Sequence, residues 1–83
     1  MFTANEEIRI NNEVSKRQAK GGDFNEAIDY AVRQYKYEAK DAAESRRSLD
    51  RRNGTGYADG RIVELNHEVE IYEEIRHRLQ NAQ

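Results

Sequence analysis

Arg46-Arg47-Ser48-Leu49-Asp50-Arg51-Arg52-Asn53-Gly54-Thr55-Gly56-Tyr57-Ala58-Asp59-Gly60-Arg61 is the stretch in which helical pattern, turn residues and a one-signed charge cluster coincide. Its three glycines supply positive-φ conformations that stop the helical pattern on either side, and Gly54 stands where a helix C-cap glycine would. Asp59 then reads as the N-cap of a returning helix, its carboxylate accepting from backbone N–H groups one turn on. The stretch is the expected bend of a helical hairpin.

Outward from this bend, the pattern predicts a long helix over 23–53, a tip loop over 54–59 and a returning helix over 60–81. Asp23-Phe24-Asn25-Glu26 opens the long helix with an Asp N-cap. At 100° per residue, Phe24, Ile28, Ala31, Val32, Tyr35, Ala39, Ala42, Ala43 and Leu49 share one face, and Ile62, Leu65, Val69, Tyr72, Ile75 and Leu79 share a face of the returning helix. A bend centred on Tyr57 sets Leu49 level with Leu65, Ala42 with Tyr72, Ala39 with Ile75 and Tyr35 with Leu79. Alanine opposite a bulky side chain would let the axes approach closely while the layer still fills. The same register pairs Arg46 with Glu68 and Glu38 with Arg76, which would compensate charges intruding on the apolar stripes.

Residues 1–22 form a shorter unit. Thr3-Ala4-Asn5-Glu6 matches a capping box, and a helix from Ala4 to Lys20 stopped by Gly21-Gly22 follows. A short strand at Ile8-Arg9-Ile10 is the competing reading. Ile8, Ile10, Val14 and Ala19 make no wide stripe, so this helix must dock on the hairpin or on another chain, Ile10 and Val14 being its contact residues.

Composition bounds the rest. The 83 residues allow one small domain, with no Cys for disulfides and no Pro to interrupt helices. Charged and hydrophobic residues each make up 36%, and the net charge of −2 argues against a general nucleic-acid binder. No apolar run is long enough to span a bilayer and residues 1–20 lack a signal-peptide centre, so a cytoplasmic protein that avoids membranes is expected.

No pattern of catalytic residues stands out: there is no Cys nucleophile, no GxSxG and no Walker-type run. Glu74-Ile75-Arg76-His77 has the Glu-x-x-His spacing of di-iron bundles, but Glu74 and His77 project away from the apolar stripe, and Glu74 bonded to Arg78 is the favoured reading. His67 is likewise read as exposed. No metal or other cofactor is therefore expected, and a ferritin-like hairpin stands only as the third functional reading.

The candidate binding residues are the tip arginines Arg46, Arg47, Arg51, Arg52 and Arg61, with Thr55 and Tyr57 beside them. Clustered guanidinium groups next to Gly-rich backbone and a helix N-terminus suit an acidic protein surface or a phosphate, with Tyr57 as stacking residue in the second case. Tyr30 and Tyr37, seven apart, share the face of the long helix opposite its core stripe. The format, a short charged Cys-free helical hairpin, resembles small phage or mobile-element regulators, although no motif carries that likeness. The expected function is a non-catalytic helical regulator that occupies a partner protein's surface, as an inhibitor or adaptor. The alternative is an oligomeric binder of a nucleotide or RNA at the tip. Self-association of the hairpin into a helical bundle is the expected oligomeric arrangement, because a monomer of this size leaves little apolar area buried.

Overall fold

The structure, a computed structural model, describes residues 1–81 and contains four helices and no strand among them. These are α1 (Ala4–Lys20), α2 (Asn25–Glu44), α3 (Arg46–Asn53) and α4 (Tyr57–Asn81). The capping box of α1 forms as its sequence dictates: Thr3 Oγ1 accepts from the Glu6 N–H at 3.2 Å and Glu6 Oε1 accepts from the Thr3 N–H at 2.8 Å. Ile8 and Ile10 lie inside α1, so the strand reading does not hold. Asp23 accepts from the Asn25 N–H at 2.9 Å, a local turn that leads into α2.

The long helix opens at Asn25, with Phe24 and not Asp23 at the N-cap position and no side-chain cap, and two further boundaries differ from expectation. The helix expected over 23–53 is divided at Ser45, whose φ of −98° and ψ of 16° leave the helical range. Hydrogen bonds still run from the Ser45 N–H to Asp41 and from the Leu49 N–H to the Ser45 carbonyl, both at 2.9 Å, so the path is redirected and not broken. Secondly, the returning helix begins at Tyr57, not Gly60, and the loop is only Gly54-Thr55-Gly56.

Shortening the loop moves the whole pairing. Tyr35 lies against Tyr72, ring centroids 5.7 Å apart, and not against Leu79. That difference of seven residues is about two helical turns. Arg46 meets Asp59 at 3.0 Å and not Glu68; Glu38 meets Arg61 at 3.6 Å; Arg76 is bonded to Asp29 instead of Glu38. A slip of one heptad returns every side chain to nearly the same face, so the stripes are still buried although their level partners change. Ile28, Val32, Ala39, Ala42, Leu65, Val69, Ile75 and Leu79 are buried, whereas Ala43 is exposed.

α4 is the central element because α1, α2 and α3 all pack against it. Its buried residues span an arc of roughly 160° at 100° per residue, wider than one packing partner requires. α2 covers the side of Leu65, Val69 and Tyr72. The other flank is covered by α1: Ile71, expected at the margin of the stripe, is 1% exposed and clusters with Ile10 and Ile75. Burying an isoleucine fully contributes roughly 1.5–3 kcal/mol. Polar contacts add direction to this packing. Arg9 donates to both oxygens of Glu68 at 2.8 and 2.7 Å, and Arg78 donates to Glu7 and Asn11, each at 2.9 Å.

The assembly is elongated and thin. Its extents are 47 × 27 × 17 Å and its radius of gyration 15.2 Å, against about 12 Å for a compact chain of this length. Helices about 10 Å across cannot be stacked deeply within the thinnest dimension, so broad helix faces remain at the surface.

Candidate functional site

The arginine-rich end is built by two positive-φ glycines and one carboxylate. Gly54 (φ 105°) and Gly56 (φ 89°) hold backbone that side-chain-bearing residues avoid, which lets three residues connect α3 to α4. The first turn of α4 is fastened by the Gly60 N–H to the Gly56 carbonyl at 3.1 Å. It is also capped from outside: Asp50 Oδ1 accepts from the Ala58 N–H at 2.9 Å. The cap expected from Asp59 thus comes from Asp50, because Asp59 already lies within the helix and faces Arg46.

The five tip arginines therefore fall into two groups. Arg46 is held by Asp59, and Arg61 lies between Glu38 at 3.6 Å and Glu64 at 3.7 Å. Arg52 donates to the Ser48 hydroxyl at 3.2 Å. Among the described residues, Arg47, Arg51 and Arg52 have no carboxylate within salt-bridge distance. A carboxylate occupies the N-terminal end of α4, the place where a phosphate would gain most from backbone donors. Thr55 is exposed in the loop.

Tyr57 and Tyr37, from opposite ends of the sequence reading, line one cleft together with Arg61, and Ala42, Leu49 and Leu65 form its apolar floor. Tyr30 stands farther along α2, where Tyr30, Arg33, Gln34 and Tyr37 surround a shallow notch. Tyr30 is 60% exposed and Tyr37 68%. The structure thus joins the tyrosine face to the tip through Tyr37. A separate cleft between the end of α1 and the start of α2 is lined by Lys16, Arg17, Lys20 and Phe24, with Arg17 tied to Glu13.

Sequence reasoning passed over Lys36 and Lys40. At 100° per residue along α2, Arg33, Lys36 and Lys40 fall with both tyrosines on an arc about 120° wide, and Arg47 and Arg51 follow on α3 beyond the bend at Ser45. All five cations are exposed, and none is in a salt bridge among the described residues. Between residues 30 and 51, Glu44 is the one acidic residue on that arc. The helical projection itself is legible in the sequence; the lack of carboxylate partners is not.

The two histidines lie apart, His67 between Glu6 and Glu70 and His77 at the surface. His67, expected to be exposed, is half-buried, bonded to Glu6 and tilted against Phe2 at 6.0 Å. The Glu6 carboxylate raises the His67 pKa above its ordinary value, and the Thr3 N–H followed by His67 lowers that of Glu6. Glu74 accepts from Arg78 at 3.0 Å and His77 lies at the surface beside Asn81. Among the described residues no three metal-ligating side chains gather, and no helix is long and apolar enough to cross a membrane.

No protein-family model, curated protein or solved structure matches this chain.

Proposed function

We propose that this chain is a small non-catalytic regulator, of inhibitor or adaptor type, that occupies a partner protein's surface with the outward face of α2 and α3. On this reading α2, α3 and α4 work as an antiparallel helical hairpin, and α1 braces the far flank of α4. The observation that carries it is the exposure of Tyr30 and Tyr37 on α2, with Arg33 at the same notch and, farther along the chain on α3, exposed Arg47 and Arg51 that have no carboxylate within salt-bridge distance. Tyrosine and arginine are the residue types that anchor protein interfaces, since each offers large contact area with a polar end.

The same geometry counts against a nucleotide or RNA at the tip. Arg46 and Arg61 face carboxylates and Asp50 fills the α4 N-terminus, so a phosphate at the tip is left with Arg47, Arg51 and Arg52 and without the backbone donors of α4. Self-association is a competing use of the tyrosine face. It has less to gain than the sequence suggested, because α1 already covers Ile71.

The test is charge reversal at Arg47 and Arg51. Capture of a partner by the wild-type chain is expected to be lost in Arg47→Glu/Arg51→Glu while helicity by circular dichroism is unchanged. Capture that survives both substitutions and Tyr30→Ala/Tyr37→Ala would refute the assignment of this face. A thermal-shift panel of nucleotides addresses the alternative, since a ligand at 100 times its Kd adds about 2.7 kcal/mol to stability.

A further inference from the structure

Resting on the protein-binding reading above, we infer that the partner presents a carboxylate-rich surface, matched in line by Arg33, Lys36, Lys40, Arg47 and Arg51. Tyr30 and Tyr37 flank this line and anchor it.

Charge distribution supplies the first argument. The five cations and Glu44 give this ridge four net positive charges, whereas the whole chain carries −2. The remainder therefore carries six net negative charges, and the molecule is polarised with one cationic ridge. Elsewhere the cations are largely consumed internally: Arg9, Arg17, Arg46, Arg61, Arg76 and Arg78 each face a carboxylate. Lys40, Arg47 and Arg51 have no salt-bridge partner and are open to an external anion, whereas Arg33 and Lys36, also without a salt bridge, share a depression with Glu26, Asp29 and Glu73 and form the more screened end of the ridge.

The spacing supplies the second. From Arg33 to Arg51 the ridge extends about 27 Å at 1.5 Å per residue. That length suits a protein contact of standard size, about 800 Å² on each partner.

The kind of anion follows from what the ridge lacks. Its backbone N–H groups are spent inside α2 and α3, and the adjacent α4 N-terminus is capped by Asp50, so the donors that usually hold phosphates are not offered. Glu44 stands among the cations, between Lys40 and Arg47. A polyphosphate strand carries the same charge at every step and must set one of them against Glu44. A folded protein surface can place a hydroxyl, amide or cation there and carboxylates on either side. Such patterning gives specificity and a salt-dependent association rate.

The experiment is a titration of the isotopically labelled full chain, followed by amide chemical shifts, at about 0.05 M ionic strength where screening is weak. Three probes are used. The first is a helical peptide of about 20 residues, long enough to match the ridge, with glutamates at i, i+3 and i+7. The second is the same peptide with glutamine in their place, and the third is an oligodeoxythymidine of similar length. The expected result is saturable shifts within residues 30–51 for the glutamate peptide, none for the glutamine peptide, and weaker binding of the oligonucleotide. Lys40→Glu/Arg47→Glu should weaken the peptide at least roughly tenfold. Tighter binding of the oligonucleotide, or no shift within 30–51 for the glutamate peptide, overturns the inference.

The two readings fail separately. A captured partner that is indifferent to Lys40→Glu/Arg47→Glu but lost in Tyr30→Ala/Tyr37→Ala ends the carboxylate assignment and leaves protein binding standing. Peptide binding on the ridge with no partner captured ends the regulator reading and leaves the surface chemistry standing.

Discussion

The Asp50 carboxylate accepts a hydrogen bond from the Ala58 backbone N–H at 2.9 Å across the Gly54–Gly56 loop, so the end of α3 caps the start of α4. One side chain thereby fixes the geometry of the connection. Asp50→Ala should cost about 1 kcal/mol, as loss of an N-cap does, and lower the melting temperature by about 4–8 °C in a domain of this size. Asp59→Ala removes only an exposed pair with Arg46 and should cost less. Thermal melts of the two variants followed by circular dichroism make the comparison; a larger loss for Asp59→Ala would contradict the cap assignment.

The α1 flank of α4 should be as important as its α2 flank. Ile71→Ala leaves a cavity between α1 and α4 and is expected to cost about 2–5 kcal/mol in urea unfolding. Val63→Ala, on a side chain 67% exposed, should stay within about 0.5 kcal/mol of wild type. Equal effects would mean that α1 does not dock in solution.

Attachment of α1 should depend on pH at both ends. Glu6 holds His67 above its ordinary pKa, so this contact is fully present below about pH 6.5 and is lost as pH rises through the raised value. Arg9 holds Glu68 below its ordinary pKa, so that contact is present above about pH 4.3 and is lost as pH falls through the lowered value. Stability should therefore be greatest between the two limits. His67→Gln should flatten the decline on the alkaline side and soften the acid-side decline to a lesser degree, because His67 also helps to hold the Glu6 pKa down, as measured by melting temperature against pH.

Pairing across α2, α3 and α4 can be checked by double-mutant cycles. Coupling of Arg46 with Asp59 should be about 0.2–1 kcal/mol, and that of Arg46 with Glu68 indistinguishable from zero. The reverse would restore a bend centred on Tyr57.

What could be read from the sequence was what is decided locally. The Thr3–Glu6 capping box, the stops at Gly21 and Gly54, and the buried faces of α2 and α4 depend on residues a turn or two apart, and they formed. Register did not follow, because an earlier start of α4 shifts partners by about one heptad for Tyr35, Arg46 and Arg76, and by about two for the long-reaching pair Glu38–Arg61, with little change of face. Arg46 and Glu38 were matched to distant charges by level alone, while Asp59 and Arg61 lay closer once α4 began earlier. Ile71 was placed at a margin because a single partner was assumed; a helix packed on two sides buries a wider arc. Of the candidate surface, Tyr30 and Tyr37 are legible from their seven-residue spacing, and Arg47 and Arg51 from the arginine cluster at the tip. Lys36 and Lys40 were overlooked because exposed cations on a helix are ordinarily solvent contacts, and their lack of carboxylate partners emerges only from the three-dimensional pairing.

The central claim is that docking of α1 on the Ile71 side of α4 leaves the outward face of α2 and α3 free for a foreign partner. Solution mass by sedimentation equilibrium tests it most directly. The account predicts a concentration-independent mass of 9.7 kDa. A mass of about twice that, returning to the single-chain value in Tyr37→Glu, would show that a second copy already covers the face and would contradict the account.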